Sequence, residues 1–348
     1  MQTGMSGDLE EVTDAPKTSI IDNELNRLNI DIAGLQETRL AGFGSIKEKN
    51  YTFFWQGLHE EEKRIHGVGF AIKNNLLPTL EPPKQGCERI LSMRLKTSSG
   101  FATFVCCYAP TMTAETDLKD KFYSQLDDTI NKVPPSDELF LLGDFNARVG
   151  DENCLWPEVL GSHGIGKMNE NGQRLLEFCS HHHLCITNTF FENKSIHKGT
   201  WRHPRSKTWH QIDFTITKQS YLRNVKNSRT YHSADCNTDH SLVRSKVKLV
   251  PKAIHKSKKK GPPKIDTQLR QSTKNGNLSS TQILAKPTSP LRMTVSQPQM
   301  HGTISRTLYI AALLKLLVLK STKTRTGMKQ VLKKLNLFLR ENEMQCSN

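Results

Sequence analysis

The stretch LLGDFNARVG, Leu141–Gly150, decides how the chain is read. It completes ELFLLG (138–143), an apolar run closed by glycine, as expected of a strand buried on both faces. The chain then turns and offers Asp144 and Asn146, two residues apart. Such a pair suits work on a phosphate. Asp144 can take a proton from a water or orient it, and Asn146 can donate hydrogen bonds to a phosphate oxygen. An ordinary Asp/Asn turn uses the same residue types, so the remaining sequence has to decide between the two.

Upstream, Lys17 to Asn29 predicts a helix with Ile20, Ile21, Leu25 and Leu28 on one face, and IDIAGL (30–35) a short apolar strand. That strand runs into LQETR and delivers Gln36 and Glu37 at its carboxyl end, where open α/β sheets place ligand sites. Glu37 is a hard oxygen donor of the kind Mg²⁺ accepts, and equally a surface carboxylate at a strand end. Residues 51–55, 67–72, 90–95 and 101–108 are further strand candidates separated by Gly, Pro and charged clusters. Helices are predicted over 115–132 and 172–183, and later strands over 184–188, 211–217 and 241–249. Hairpin-like strand pairs with intervening helices predict an α/β fold of two packed sheets with helices outside.

Two downstream stretches bear on the chemistry. In QIDFTIT, Asp213 is an acid inside an otherwise apolar strand, and a buried carboxylate needs a partner. In NTDHSLV, Asp239 and His240 precede an apolar strand. A histidine held by a carboxylate can stabilise developing charge or exchange a proton, so Asp213 is expected to pair with His240. The alternatives are a capping turn at 239–240 and a solvent-facing edge position for Asp213. In GTWRHP (199–204), Trp201 is either core or a base-contacting side chain.

The order Glu, Asp-x-Asn, Asp, Asp-His, each at a strand end or inside a strand, resembles the endonuclease/exonuclease/phosphatase superfamily. The stretches LNIDIAGLQETRL, HGVGFAIKNNL, GKMNENGQRLLEFC and TWRHPRSKTWHQID narrow the likeness to the endonuclease domains of RTE-type non-LTR retrotransposons. The resemblance implies a four-layered α/β sandwich over residues 17–250 and a DNA endonuclease using Mg²⁺, with Mn²⁺ as the other candidate ion. It implies Glu37 and Asp239 at the metal; Tyr108, Asp144, Asn146, Asp213, Asp239 and His240 in catalysis; and Thr200, Trp201 and Arg202 against the DNA. The family opens with a strand carrying Trp-Asn. Residues 1–16 are polar and hold no match to it, so the sheet is expected to lack that strand. A Tyr-x-Asp-Asp reverse-transcriptase motif is also absent from the sequence, which argues against autonomous transposition.

Composition sets the rest. The net charge is +15, but 19 of the 49 Lys+Arg and only 3 of the 34 Asp+Glu follow residue 250, so the first 250 residues are nearly neutral. A basic linker predicted as disordered (251–306) and basic amphipathic helices within 307–348 are expected. Lys256, Lys258, Lys259, Lys260 and Lys264 read either as a nuclear-import cluster or as a solvated linker. Eight cysteines without a C-x-x-C pair, no signal-peptide core and no long apolar span lead to the expectation of a soluble nuclear or cytoplasmic protein without a membrane partner. Two rivals compete with the nuclease: an inactive relic binding nucleic acid through its tail, and a lipid phosphatase, which would call for a hydrophobic insertion loop.

Overall fold

The computed structural model describes residues 8–83, 86–234, 238–254 and 307–315. Its strands are β1 (Ile32–Gln36), β2 (Phe43–Lys47), β3 (Tyr51–Gln56), β4 (Val68–Lys73), β5 (Leu80–Glu81), β6 (Ile90–Thr97), β7 (Gly100–Tyr108) and β8 (Glu138–Asp144), then β9 (Leu184–Ile186), β10 (Trp201–Arg202), β11 (Trp209–His210), β12 (Asp213–Lys218), β13 (Val225–Tyr231), β14 (Leu242–Lys248) and β15 (Thr307–Lys315). The α-helices are α1 (Asp8–Arg27), α2 (Thr116–Asn131) and α3 (Glu170–His181).

Seven strands form one sheet in the order β13-β14-β15-β1-β4-β3-β2, and six form a second in the order β5-β6-β7-β8-β12-β9. Period-two alternation sorts the side chains into layers. Along β7, Ala102, Phe104, Cys106 and Tyr108 point between the sheets toward Ile32, Phe70 and Val243, while Val105 and Cys107 point outward. The outward face of the six-stranded sheet is covered by Phe122, Leu126 and Ile130 of α2 and Leu175, Leu176 and Cys179 of α3. Ile21 and Leu25 of α1 cover the outward face of the other sheet. The result is the expected four-layered α/β sandwich.

Two expectations need correction. The first helix starts at Asp8, nine residues before the predicted start at Lys17. More consequentially, residues 307–315 are a strand and not a helix. β15 lies in the interior of the seven-stranded sheet, parallel to β1 and antiparallel to β14. The sheet therefore has no gap beside β1, because a segment from the far end of the chain occupies the position. Leu308 and Ile310 are fully buried between the sheets, and Ala311 faces α1. The pattern LYIAALL suits a helix face equally well, but β1 and β14 on either side leave main-chain donors and acceptors that only a strand can satisfy. The predicted linker beyond Ile254, including the lysine cluster, and the predicted helices beyond Lys315 lie outside the described residues.

Candidate active site

The six-stranded sheet places three site residues abreast. Pairing of β7 with β8 sets Tyr108 opposite Asp144, and pairing of β8 with β12 sets Asp213 on the other side of Asp144. All three are buried. Gly143 permits this close approach: its φ is +158°, and a Cβ there would stand 1.9 Å from the Cys107 carbonyl oxygen. Asp144 Oδ1 accepts the Asn146 backbone N–H at 2.8 Å, and Asn146, at φ +47°, donates from Nδ2 to the Ala109 carbonyl at 2.9 Å. The turn thus fixes both side chains of the D-x-N pair.

The seven-stranded sheet supplies the opposing groups. Glu37 follows β1 in a left-handed conformation, φ +50°, where a residue with a side chain carries strain. Its Oε1 accepts the Tyr108 hydroxyl at 2.7 Å and its Oε2 accepts Arg39 at 3.2 Å. Burial, and after it the Glu37 charge, raises the Tyr108 pKa, so the phenol keeps its proton and donates it to Glu37. The Tyr108 hydroxyl thereby orients the Glu37 carboxylate. His240 lies just before β14, buried, with Nδ1 at 3.1 and 3.4 Å from the two carboxylate oxygens of Asp213. This is the pair expected from the sequence.

Between the two sheet edges opens a cavity of about 700 Å³, whose lining includes Glu37, Tyr108, Asn146, Trp201, Asp239 and His240. Trp201 is half-buried on its wall and donates from Nε1 to Asp239 Oδ2 at 3.0 Å, so it is a cavity residue and not core. Thr200 and Arg202 do not line it. Thr200 is fully buried, and its Oγ1 accepts the backbone N–H groups of Ile212 and Asp213 at 3.0 and 3.3 Å; it braces the strand that carries Asp213. Arg202 is exposed on the β10–β11 hairpin and donates to the Lys207 carbonyl at 3.1 Å. Only one of the three residues assigned to DNA therefore faces the cavity.

The Endonuclease-reverse transcriptase family profile matches residues 102–244. Over these residues the chain matches an endonuclease/exonuclease/phosphatase domain. Craniofacial development protein 2 of Bos taurus is 33% identical over 240 residues, and that of Tragulus javanicus 32% over 240 residues. Each alignment takes in 68% of this chain; the chain spans 40% and 41% of the respective relatives. Among solved structures, the catalytic domain of Xenopus laevis APE2 superposes with a TM-score of 0.52 at 14% identity, covering 69% of this chain and 90% of that one, which is a likeness of fold.

Several further residues support the site without having stood out in the sequence. Arg89 donates to the Tyr108 carbonyl at 3.0 Å, stacks over the Tyr108 ring at 5.2 Å and meets His66 Nε2 at 2.9 Å. Burial lowers the pKa of His66, and the Arg89 charge lowers it further. Asn171, buried at the start of α3, donates to the carbonyls of Asn146 and Pro110 at 3.0 and 3.2 Å. Asn169 caps α3 and also accepts the Arg148 backbone N–H at 3.0 Å. The N-x-N spacing in MNENG was the available signal for both.

The acidic residues of this domain can hold a metal ion. Ligand atoms of Asp144, Asp213 and His240 lie within 4.8 Å of one another, and Glu37 and Asp239 line the adjoining cavity. With Asp213 engaged by His240, the carboxylates of Glu37, Asp144 and Asp239 are the fitting donors. A carboxylate set selects hard divalent ions over thiophilic ones.

Proposed function

We propose that this domain is a Mg²⁺-dependent endonuclease that hydrolyses DNA phosphodiester bonds, with Mn²⁺ as a substitute ion. The observation that carries the reading is that Glu37, Asn146, Asp239 and His240 line one cavity, and that ligand atoms of Asp144 and Asp213 lie within 4.8 Å of that of His240. Glu37 and Asp239 would hold the ion, which supplies charge neutralisation at the phosphate. Asp144 orients the attacking water and accepts its proton. His240, its Nδ1 side fixed by Asp213, presents its other nitrogen to the phosphate and stabilises the charge gathering there. The second Nδ2 hydrogen of Asn146 donates to a phosphate oxygen. Trp201 offers an aromatic face to a base or sugar, and Arg148, also on the cavity lining, offers positive charge to the strand backbone. Most of the rate enhancement is positioning and electrostatics.

The test is nicking of supercoiled plasmid by the purified chain with Mg²⁺, Mn²⁺ or EDTA. Asp144→Ala and His240→Ala are expected to lower Mg²⁺-dependent nicking by at least about 10²-fold. Nicking that survives EDTA, or that both variants retain in full, would sink the proposal. The Asp239 arrangement gives a further check: Asp239→Asn keeps an acceptor for Trp201 but removes a charge, so it should raise the Mg²⁺ concentration needed for half-maximal rate.

A further inference from the structure

Helices α2 and α3 lie side by side and run the same way, as Asp120–Arg174, Tyr123–Phe178 and Asp127–His182 contacts follow one another along both. Helix α3 starts beside the cavity at Asn169 and ends at His181, about 18 Å further on. At that far end Asp127, His181 and His182 bring one oxygen and two nitrogens within 4.8 Å of one another. We propose that these three residues form a second metal site, for a borderline transition ion such as Zn²⁺, clamping the C-terminal ends of the two helices.

The His182 side chain is nine-tenths buried, and its Nε2 lies 2.8 Å from Asp127 Oδ1. The two atoms are in close contact without a well-aligned hydrogen bond between them. The relation fits a nitrogen and an oxygen sharing an ion. Each then sits roughly 2.0–2.2 Å from the metal, and the nitrogen lone pair points at the ion and not at the oxygen. The other oxygen of Asp127 accepts the Asn131 side-chain amide at 2.9 Å, the kind of outer support that orients a ligating carboxylate. The His182 ring packs against Phe178 with centroids 4.6 Å apart, which restricts its rotation. His181 is exposed and can swing toward the ion.

Electrostatics agrees with this geometry. The site lies at the negative poles of two helices, where a cation is favoured. Two imidazoles and one carboxylate suit Zn²⁺, Co²⁺, Ni²⁺ or Cu²⁺ and disfavour Mg²⁺, which prefers oxygen donors. Three protein ligands leave a fourth position for water or an exogenous ligand.

The experiment is calorimetric titration of the chelator-treated full-length protein with ZnCl₂, for the native chain, His181→Ala, Asp127→Asn and the double variant. Because the acidic cluster at the cavity can also take Zn²⁺, the number of sites is counted with and without saturating Mg²⁺. The native chain should show one Zn²⁺ site that Mg²⁺ does not displace, weakened roughly tenfold or more in each single variant and lost in the double one. All four proteins should give equal plasmid nicking in Mg²⁺ if they are active, and equal far-UV circular dichroism in any case. An Mg²⁺-resistant site of undiminished affinity in the double variant, or none in the native chain, would overturn the proposal.

Discussion

Ile310 is the sharpest place to perturb the molecule, since it tests whether the C-terminal segment belongs to the folded sheet. Its side chain is fully buried between the sheets, in the same cluster as Ile32, Val243, Val247 and Leu308. Ile310→Ala removes three side-chain carbons and leaves a cavity that β1 and β14, held by their own ladders, cannot close. Substitutions of this type cost about 2–5 kcal/mol, a large share of the roughly 5–15 kcal/mol that holds a typical domain together. The matched control is Ile196→Ala, the same chemistry at a residue 65% exposed, where a change within about 0.5 kcal/mol is expected. Urea denaturation followed by far-UV circular dichroism reads both. Equal midpoints for Ile310→Ala and the native chain would refute the placement of β15, whatever the nuclease activity.

Four further outcomes follow from the site and its supports. Asp213→Asn removes the charge that fixes His240 and should lower nicking about 10²–10⁴-fold with the fold retained, checked by initial rates and circular dichroism. Tyr108→Phe removes the hydroxyl donated to Glu37 and should weaken Mg²⁺ activation about 10–100-fold, with recovery at high Mg²⁺; a loss indifferent to Mg²⁺ would argue against an orienting role. Gly143→Ala drives a methyl group into the Cys107 carbonyl and should cost at least about 1–3 kcal/mol by urea denaturation. His66 has a lowered pKa in the folded protein, so its contribution is complete above the unfolded value and is lost as pH falls through the folded one. Stability should therefore decline as pH falls below the ordinary histidine value of about 6.5, and decline less steeply in His66→Gln.

What was legible in the sequence follows from how burial is achieved. β8 and β7 bury apolar side chains on both faces, so ELFLLG and FATFVCCY declare themselves, and the acids that follow or interrupt such runs stand out. β13 does not declare itself, because its buried positions include Ser228 and Thr230. Ser228 Oγ lies 2.8 Å from Ser245 Oγ, which donates to Thr215 Oγ1 at 2.9 Å, so hydroxyls satisfy one another there and no hydrophobic period appears. β2 is an edge strand with only alternate residues partly covered. Thr200 was misread for a related reason. A motif position identifies a residue type but not its direction, and its buried hydroxyl serves the backbone of β12. Among the candidate residues, those at strand ends converged, while those on the hairpin divided between cavity, core and solvent.

β15 connects fold and site more tightly than its distance in sequence suggests. Glu37 follows β1, and His240 precedes β14. Within the seven-stranded sheet these two strands do not touch each other, and β15 is the strand hydrogen-bonded to both. The spacing between the metal-side carboxylate and the Asp213-bound histidine therefore depends on β15 holding β1 and β14 apart by two inter-strand steps, about 9.5 Å. If β15 frays, the other sheet still keeps Tyr108, Asp144 and Asp213 in register, yet Glu37 and His240 lose their common reference. A destabilised β15 should then cost activity before it costs global structure. In Ile310→Ala, nicking should fall at urea concentrations where circular dichroism is still native, whereas in Ile196→Ala the two signals should fall together.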